Sequence, residues 1–193
     1  MDDIFGPGAN LELRVVKSRD DLVERLTALR KLHKIIGLTS GTYDLAHVGH
    51  YRYLALAKKI CDVLVVGVDT DARVKKRKGS HRPFVSENER FEILCHSRYV
   101  DLVVPKEIDD SRWQLIKTVI PDVLIISERE YSDEQELQEL TTLIKELGGK
   151  IVILPSQSET STTAQMRRLL IEPIDNVKKK LAEVMEFLNK IKG

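Results

Sequence analysis

Five short apolar runs, each separated from the next by enough chain for a helix, dominate this 193-residue sequence. They are Ile35 to Thr39, Asp62 to Asp69, Val100 to Val104, Asp122 to Ser127 and Ile151 to Leu154. Strands that read as unbroken Val/Ile/Leu runs are buried on both faces. Strands joined by crossover-length connections pair in parallel, with helices on both sides. The segments between them carry helix punctuation. Ser18 followed by Asp21 reads as an N-cap, and Leu22, Leu26, Leu29 and Leu32 continue at helical spacing to about Lys34. A second helix is expected from about Gly49 to Ile60, and a third after the capping box Ser86/Glu89. Ser111 opens a short one to about Val119, and Glu134 to Leu147 is closed by Gly148-Gly149. Ser161 starts a last one to about Ile171. Asp71 to Pro83 is basic and rich in breakers, and reads as a long loop. The expected fold is α/β, a doubly wound five-stranded parallel sheet.

Three stretches follow from this reading. Residues 1–34 are an N-terminal extension with one helix, irregular up to about residue 17 where Gly6, Pro7 and Gly8 fall. Residues 35–172 form the sheet domain. Residues 173–193 are a C-terminal amphipathic helix, because Ile174, Val177, Leu181, Val184, Leu188 and Ile191 repeat at 3-4-3-4-3 spacing. That seam suits packing on its own domain or a contact between two copies, and a homodimer is the expectation carried forward.

Composition excludes some partners. Thirty-one basic against 30 acidic residues leave +1, so bulk charge gives no case for nucleic acid. No apolar run approaches the ~18 residues of a membrane span. Cys61 and Cys95 lack a C-x-x-C neighbour and read as reduced, buried thiols of a cytoplasmic protein.

Ligands of open parallel sheets bind beyond the carboxyl ends of the strands. The first strand ends in Ser40-Gly41-Thr42-Tyr43-Asp44-Leu45-Ala46-His47-Val48-Gly49-His50. Gly41 permits close backbone approach. Gly49 lies at a helix start, where free N–H groups favour anions. His47 and His50 share one helical face and can donate to phosphate oxygens. A zinc pair with Asp44 is the competing reading, but no further Cys/His cluster completes a set. The fingerprints G-x-G-x-x-G and G-x-x-x-x-G-K-[ST] are absent.

The stretch Gly41-Thr42-Tyr43-Asp44…His47-Val48-Gly49-His50 resembles the G-x-[FY]-D-x-x-H-x-G-H signature of the cytidylyltransferase-like nucleotidyltransferases. Lys78-Gly79…Arg82-Pro83, Glu89-Arg90 and Ser161-Thr162-Thr163 follow in that family's order. The resemblance implies a Rossmann-like sheet and transfer of a nucleoside monophosphate from ATP or CTP to a phosphorylated small molecule, with release of pyrophosphate. It implies that His47 and His50 hold the α- and β-phosphates. Lys78, Arg82 and the Ser161–Thr163 helix start would stabilise the pyrophosphate, and Arg90 would contact a phosphate. Ser40, Gly41, Thr42, Tyr43, Asp44 and Gly49 would line the nucleotide site, with Asp44 fixing the turn. Mg²⁺ would ride on the nucleotide phosphates with no protein metal site. Asp69, Asp71, Ser127 and Arg129, at the second and fourth strand ends, are acceptor-side candidates. The segment Val66 to Pro83 most resembles the sugar-phosphate branch, which includes heptose-1-phosphate adenylyltransferases. Flavin- or nicotinamide-mononucleotide adenylyl transfer, or nucleotide binding without catalysis, are the alternatives. In that branch the fourth strand ends in a lysine, two glycines and an aspartate; here it ends Ser127-Glu128-Arg129-Glu130.

Overall fold

The computed structural model describes residues 10–128, 133–157 and 177–185. The chain divides into two compact units, Met1–Gln157 and Ser158–Gly193. In the first unit the strands are β1 (Ile36–Gly41), β2 (Val63–Asp69), β3 (Leu102–Lys106), β4 (Val123–Ser127) and β5 (Lys150–Leu154). The helices are α1 (Leu11–Arg14), α2 (Arg19–Lys31), α3 (Val48–Lys58), α4 (Asp71–Lys78), α5 (Glu87–Cys95), α6 (Gln114–Val119) and α7 (Glu134–Glu146). All strand pairs are parallel, in the order β3-β2-β1-β4-β5. The order reverses at β1, so the switch point lies between β1 and β4.

Successive strand residues face opposite sides, and each side has its own core. Ile36, Leu38, Val63, Val65, Leu124 and Ile126 meet Leu22 and Leu26 of α2, Leu115 and Val119 of α6, and Leu140 and Ile144 of α7. Leu64, Val66, Val68, Val123 and Ile125 meet Leu54 and Ala57 of α3 and Phe91 and Leu94 of α5. Leu22 and Leu26 are wholly buried, each contributing about 1.5–3 kcal/mol. The N-terminal helix is thus part of the core rather than an appendage.

β1 pairs β2 along Ile36 to Gly41, but pairs β4 only at Gly37 and Leu38. Beyond Leu38 the two strands part. Tyr53 of α3 fills the parting: its hydroxyl lies 2.8 Å from Thr39 Oγ1 and donates to the Ile125 carbonyl at 3.1 Å. The crevice at the switch point therefore has a hydrogen-bonded floor.

Three segments differ from the sequence expectation. Residues 11–14, expected irregular, form a helical turn. Arg14 is buried there and donates to the carbonyls of Cys95, Ser97, Val100 and Asp101, so tertiary bonds hold a turn that its own sequence would not. Val16 N–H then donates to Val103 at 2.9 Å, covering the β3 edge. The expected loop after β2 begins instead as the helix α4. β3 runs through Pro105 to Lys106, as an outer strand can accept a residue without an N–H.

Of the second unit, residues 177–185 are helical, with Val177, Leu181 and Val184 of the heptad seam exposed. No helix among the described residues is long and apolar enough to cross a membrane.

Candidate active site at the carboxyl ends of the central strands

The start of α3 is capped by histidines. His47 is the N-cap, and its Nδ1 accepts the Gly49 N–H at 3.1 Å. The His47 N–H in turn donates to His50 Nδ1 at 3.2 Å. This is a capping box built from two imidazoles, satisfying two backbone donors that a helix start leaves open. An Nδ1 that accepts a backbone N–H is unprotonated, so in the neutral ring the proton sits on Nε2. The two rings lie 4.2 Å apart, centroid to centroid. Burial lowers the pKa of His47; burial, then the neighbouring His47, push His50 down to about 4. Both are neutral Nε2–H donors near pH 7, beside the positive end of a helix. Because the folded pKa of His50 lies below the unfolded value, its neutral form is favoured by folding. This contribution to stability is complete above about pH 6.5 and is lost as pH drops towards 4. Acid titration of the thermal midpoint should show this slope, and His50→Gln should flatten it; an unchanged slope would point to other groups.

The turn between β1 and α3 aims these groups. Tyr43 and Leu45 both have left-handed φ, 55° and 48°, and Asp44 between them is buried. A Cβ at Gly41 would stand 3.1 Å from the Tyr43 ring, so glycine leaves room for that ring to fold back. The Tyr43 ring lies 5.5 Å from that of His50. Asp44 faces the loop after α4: Oδ1 accepts the N–H groups of Phe84 and Val85, and Oδ2 pairs with Arg82 at 2.7 Å. Arg82 also lies over the Phe84 ring at 4.3 Å. The carboxylate thus fixes the turn by holding the opposite loop, and it brings Arg82 to the site.

Arg90 differs from the expectation of a phosphate contact. Its side chain is 0% exposed and bonds to the carbonyls of Thr42 and Val85 and to Asp71 at 2.6–3.0 Å. It braces the strand-end turn from behind. Asp71 is correspondingly engaged: it receives Arg90, and its N–H donates to Glu87 at 2.6 Å.

At the β2 end Asp69 is almost completely buried beneath a group of cations. Its Oδ2 accepts from Thr42 Oγ1 at 3.1 Å and from Arg77 at 2.7 Å. Its Oδ1 has no hydrogen-bond donor in proper geometry but lies 3.2 Å from Arg73 Nε and 3.6 Å from Lys106 Nζ. Thr42 Oγ1 also accepts from Arg77 at 2.8 Å and Lys78 at 3.3 Å. Burial, then Arg77 and Arg82, lower the Lys78 pKa. Lys106 Nζ reaches Ser40 Oγ at 3.4 Å. Sequence reasoning did not single out Lys106, Arg73 or Tyr53; no local pattern marks them, and only the strand order brings them here.

Ser127 ends β4, and Glu128 beside it accepts the Ser156 N–H at 2.8 Å, tying β4 to the turn after β5. Arg129, Ser161, Thr162 and Thr163 lie outside the described residues. Among the described residues no cluster of three His, Cys, Asp or Glu side chains could hold a metal. Asp44, Asp69 and Asp71 each already meet arginine, which is the wrong environment for a protein-held cation.

A 3-2-1-4-5 parallel sheet with two imidazoles capping the helix after β1 defines an α/β protein of Rossmann-like fold. A family model described as Cytidylyltransferase-like matches residues 38–182, and the chain belongs to that family. It is 40% identical over 158 residues to the Bifunctional protein HldE of Nitrobacter hamburgensis, covering 81% of this chain and 31% of that protein. It is 34% identical over 155 residues to the Bifunctional protein HldE of Syntrophotalea carbinolica, covering 80% and 31%. The chain thus spans about a third of the length of these curated relatives. Among solved structures it is similar to a lipopolysaccharide core biosynthesis protein from Thermoplasma volcanium, with TM-score 0.53 and 28% identity over 66% of this chain and 99% of that one. A pantoate-beta-alanine ligase from Francisella tularensis shares the fold, with TM-score 0.58 and 17% identity over 76% and 68%.

Proposed function

We propose that the chain transfers a nucleoside monophosphate from ATP or CTP to a sugar or polyol phosphate, releasing pyrophosphate. The observation that carries this is the pair of Nε2–H imidazoles at the α3 start. An acceptor phosphate, already a dianion at neutral pH, attacks the α-phosphorus. A new P–O bond forms as the bond to the bridging oxygen breaks, and pyrophosphate takes that electron pair. No general base is required. The protein's part is in-line positioning and stabilisation of growing negative charge. His47 and His50 donate to the α- and β-phosphates, while Lys78 and Arg82 stabilise the leaving pyrophosphate. Mg²⁺ arrives as part of the nucleotide substrate. The likeness to the sugar-phosphate branch and to a lipopolysaccharide core biosynthesis protein supports a sugar phosphate as acceptor. A pyrophosphate-release screen tests this by crossing ATP, CTP, GTP and UTP with heptose and hexose 1-phosphates, glycerol 3-phosphate, choline phosphate and the flavin and nicotinamide mononucleotides. Release is expected with ATP or CTP and a sugar or polyol phosphate. Release only with a mononucleotide, or nucleotide binding without release from any acceptor, would overturn the assignment.

A further inference from the structure

Transfer between two phosphate-bearing substrates requires two places for anions, and the histidine pair is one. We infer that Lys106, Arg73 and Arg77, gathered over the buried carboxylate of Asp69 at the ends of β2 and β3, form a second anion site that takes the phosphate of the acceptor. This rests on the nucleotidyl-transfer reading and gives the acceptor its docking point.

The cluster has the construction of a binding site. Asp69 is 1% exposed, whereas Lys106, Arg73 and Arg77 are 22%, 26% and 54% exposed. Three cations that would otherwise repel are drawn together by one carboxylate beneath them. Three cations sharing one buried carboxylate concentrate positive charge at the surface, which suits an anion.

The placement of Lys106 is specific. It leaves β3 and reaches Ser40 on β1, crossing over β2, which lies between them. Glycine at position 67 gives the crossing room. A Cβ there would stand 3.1 Å from Lys106 Cδ and 3.1 Å from Ser40 Cβ. It would also stand 2.4 Å from Leu115 Cδ2. The loop that follows Lys106 is held from two sides. Arg73 donates to the Glu107 carbonyl at 2.8 Å. Arg19, the first residue of α2, donates to the Pro105 carbonyl at 2.9 Å and pairs with Asp110 at 2.8 Å. The N-terminal extension thus buttresses this side of the site. Arginine and lysine beside an oxygen-lined strand end suit a phosphate monoester, with the arginines as forks and the lysine as a point charge.

The test is a set of NMR-followed titrations of the full chain with MgATP, MgCTP, mannose 1-phosphate and inorganic phosphate. Both phosphate probes are expected to bind and to shift amides around Asp69 and Lys106. Lys106→Met should weaken both by about tenfold or more and alter the nucleotide Kd by no more than about twofold. Lys106→Arg should retain most of the affinity. Weakened nucleotide binding in Lys106→Met, or unchanged binding of the phosphate probes, would overturn the subsite. Nucleotide binding by the wild type with no response to either probe would overturn the subsite alone. Probe binding that depends on Lys106, with no nucleotide bound, would sustain the anion site while overturning nucleotidyl transfer.

Discussion

His50→Ala is expected to lower turnover by about a hundredfold or more, the loss typical of removing one preorganised donor to transition-state charge. The substitution also removes the Nδ1 that accepts the His47 N–H. Losing a helix cap costs about 1 kcal/mol, which moves the melting point of a chain this size by only about 2–4 °C. The two effects separate cleanly, since a folded, slightly less stable protein cannot lose a hundredfold in rate through unfolding. Pyrophosphate release measured with a thermal melt checks this. Turnover that survives in a protein with the small stability loss would leave His50 a cap and nothing more.

Arg90→Ala is expected to have the largest effect on stability. The side chain is fully buried and serves three directions at once, to Thr42, Val85 and Asp71. Removing one partner from such a buried set costs about 3–5 kcal/mol, or a fall in melting point of about 6–20 °C. Arg90→Lys should not restore it, because an ammonium cannot span three separated oxygens in a fixed plane. Scanning calorimetry distinguishes the roles. A normal melt accompanied by weakened nucleotide binding would return Arg90 to the phosphates.

These two residues also show what the sequence carries and what it withholds. The apolar runs marked the five strands; in β1 to β4 burial on both faces leaves no polar alternation, whereas the edge strand β5 is only half-buried, with Ile153 exposed. The placement of His47 and His50 at a helix start was legible because it is local, the cap and ring orientation arising within four residues. Arg90 was legible as a residue but not in direction. Whether a guanidinium meets a ligand or a carbonyl depends on where Thr42, 48 positions earlier, comes to lie. The helix α4 escaped for a different reason. Val74 is its only buried residue, so no apolar period announces it. What supports it is charge placement, with Asp71 in the first turn and Lys75 to Lys78 in the last, matching the helix dipole. Lys106 was beyond reach of sequence reasoning. Its significance depends on strand order and on the missing side chain at position 67.

The short pairing of β1 with β4 has a mechanical meaning. Above Leu38 the sheet is two plates joined along a seam only two residues long. One plate, β3-β2-β1, carries the cationic cluster; the other, β4-β5, carries Ser127 and Glu128. Tyr53 is the clasp between them, and it belongs to the same helix that presents the histidines. A single phenol oxygen therefore links the two plates to the helix that carries the histidines.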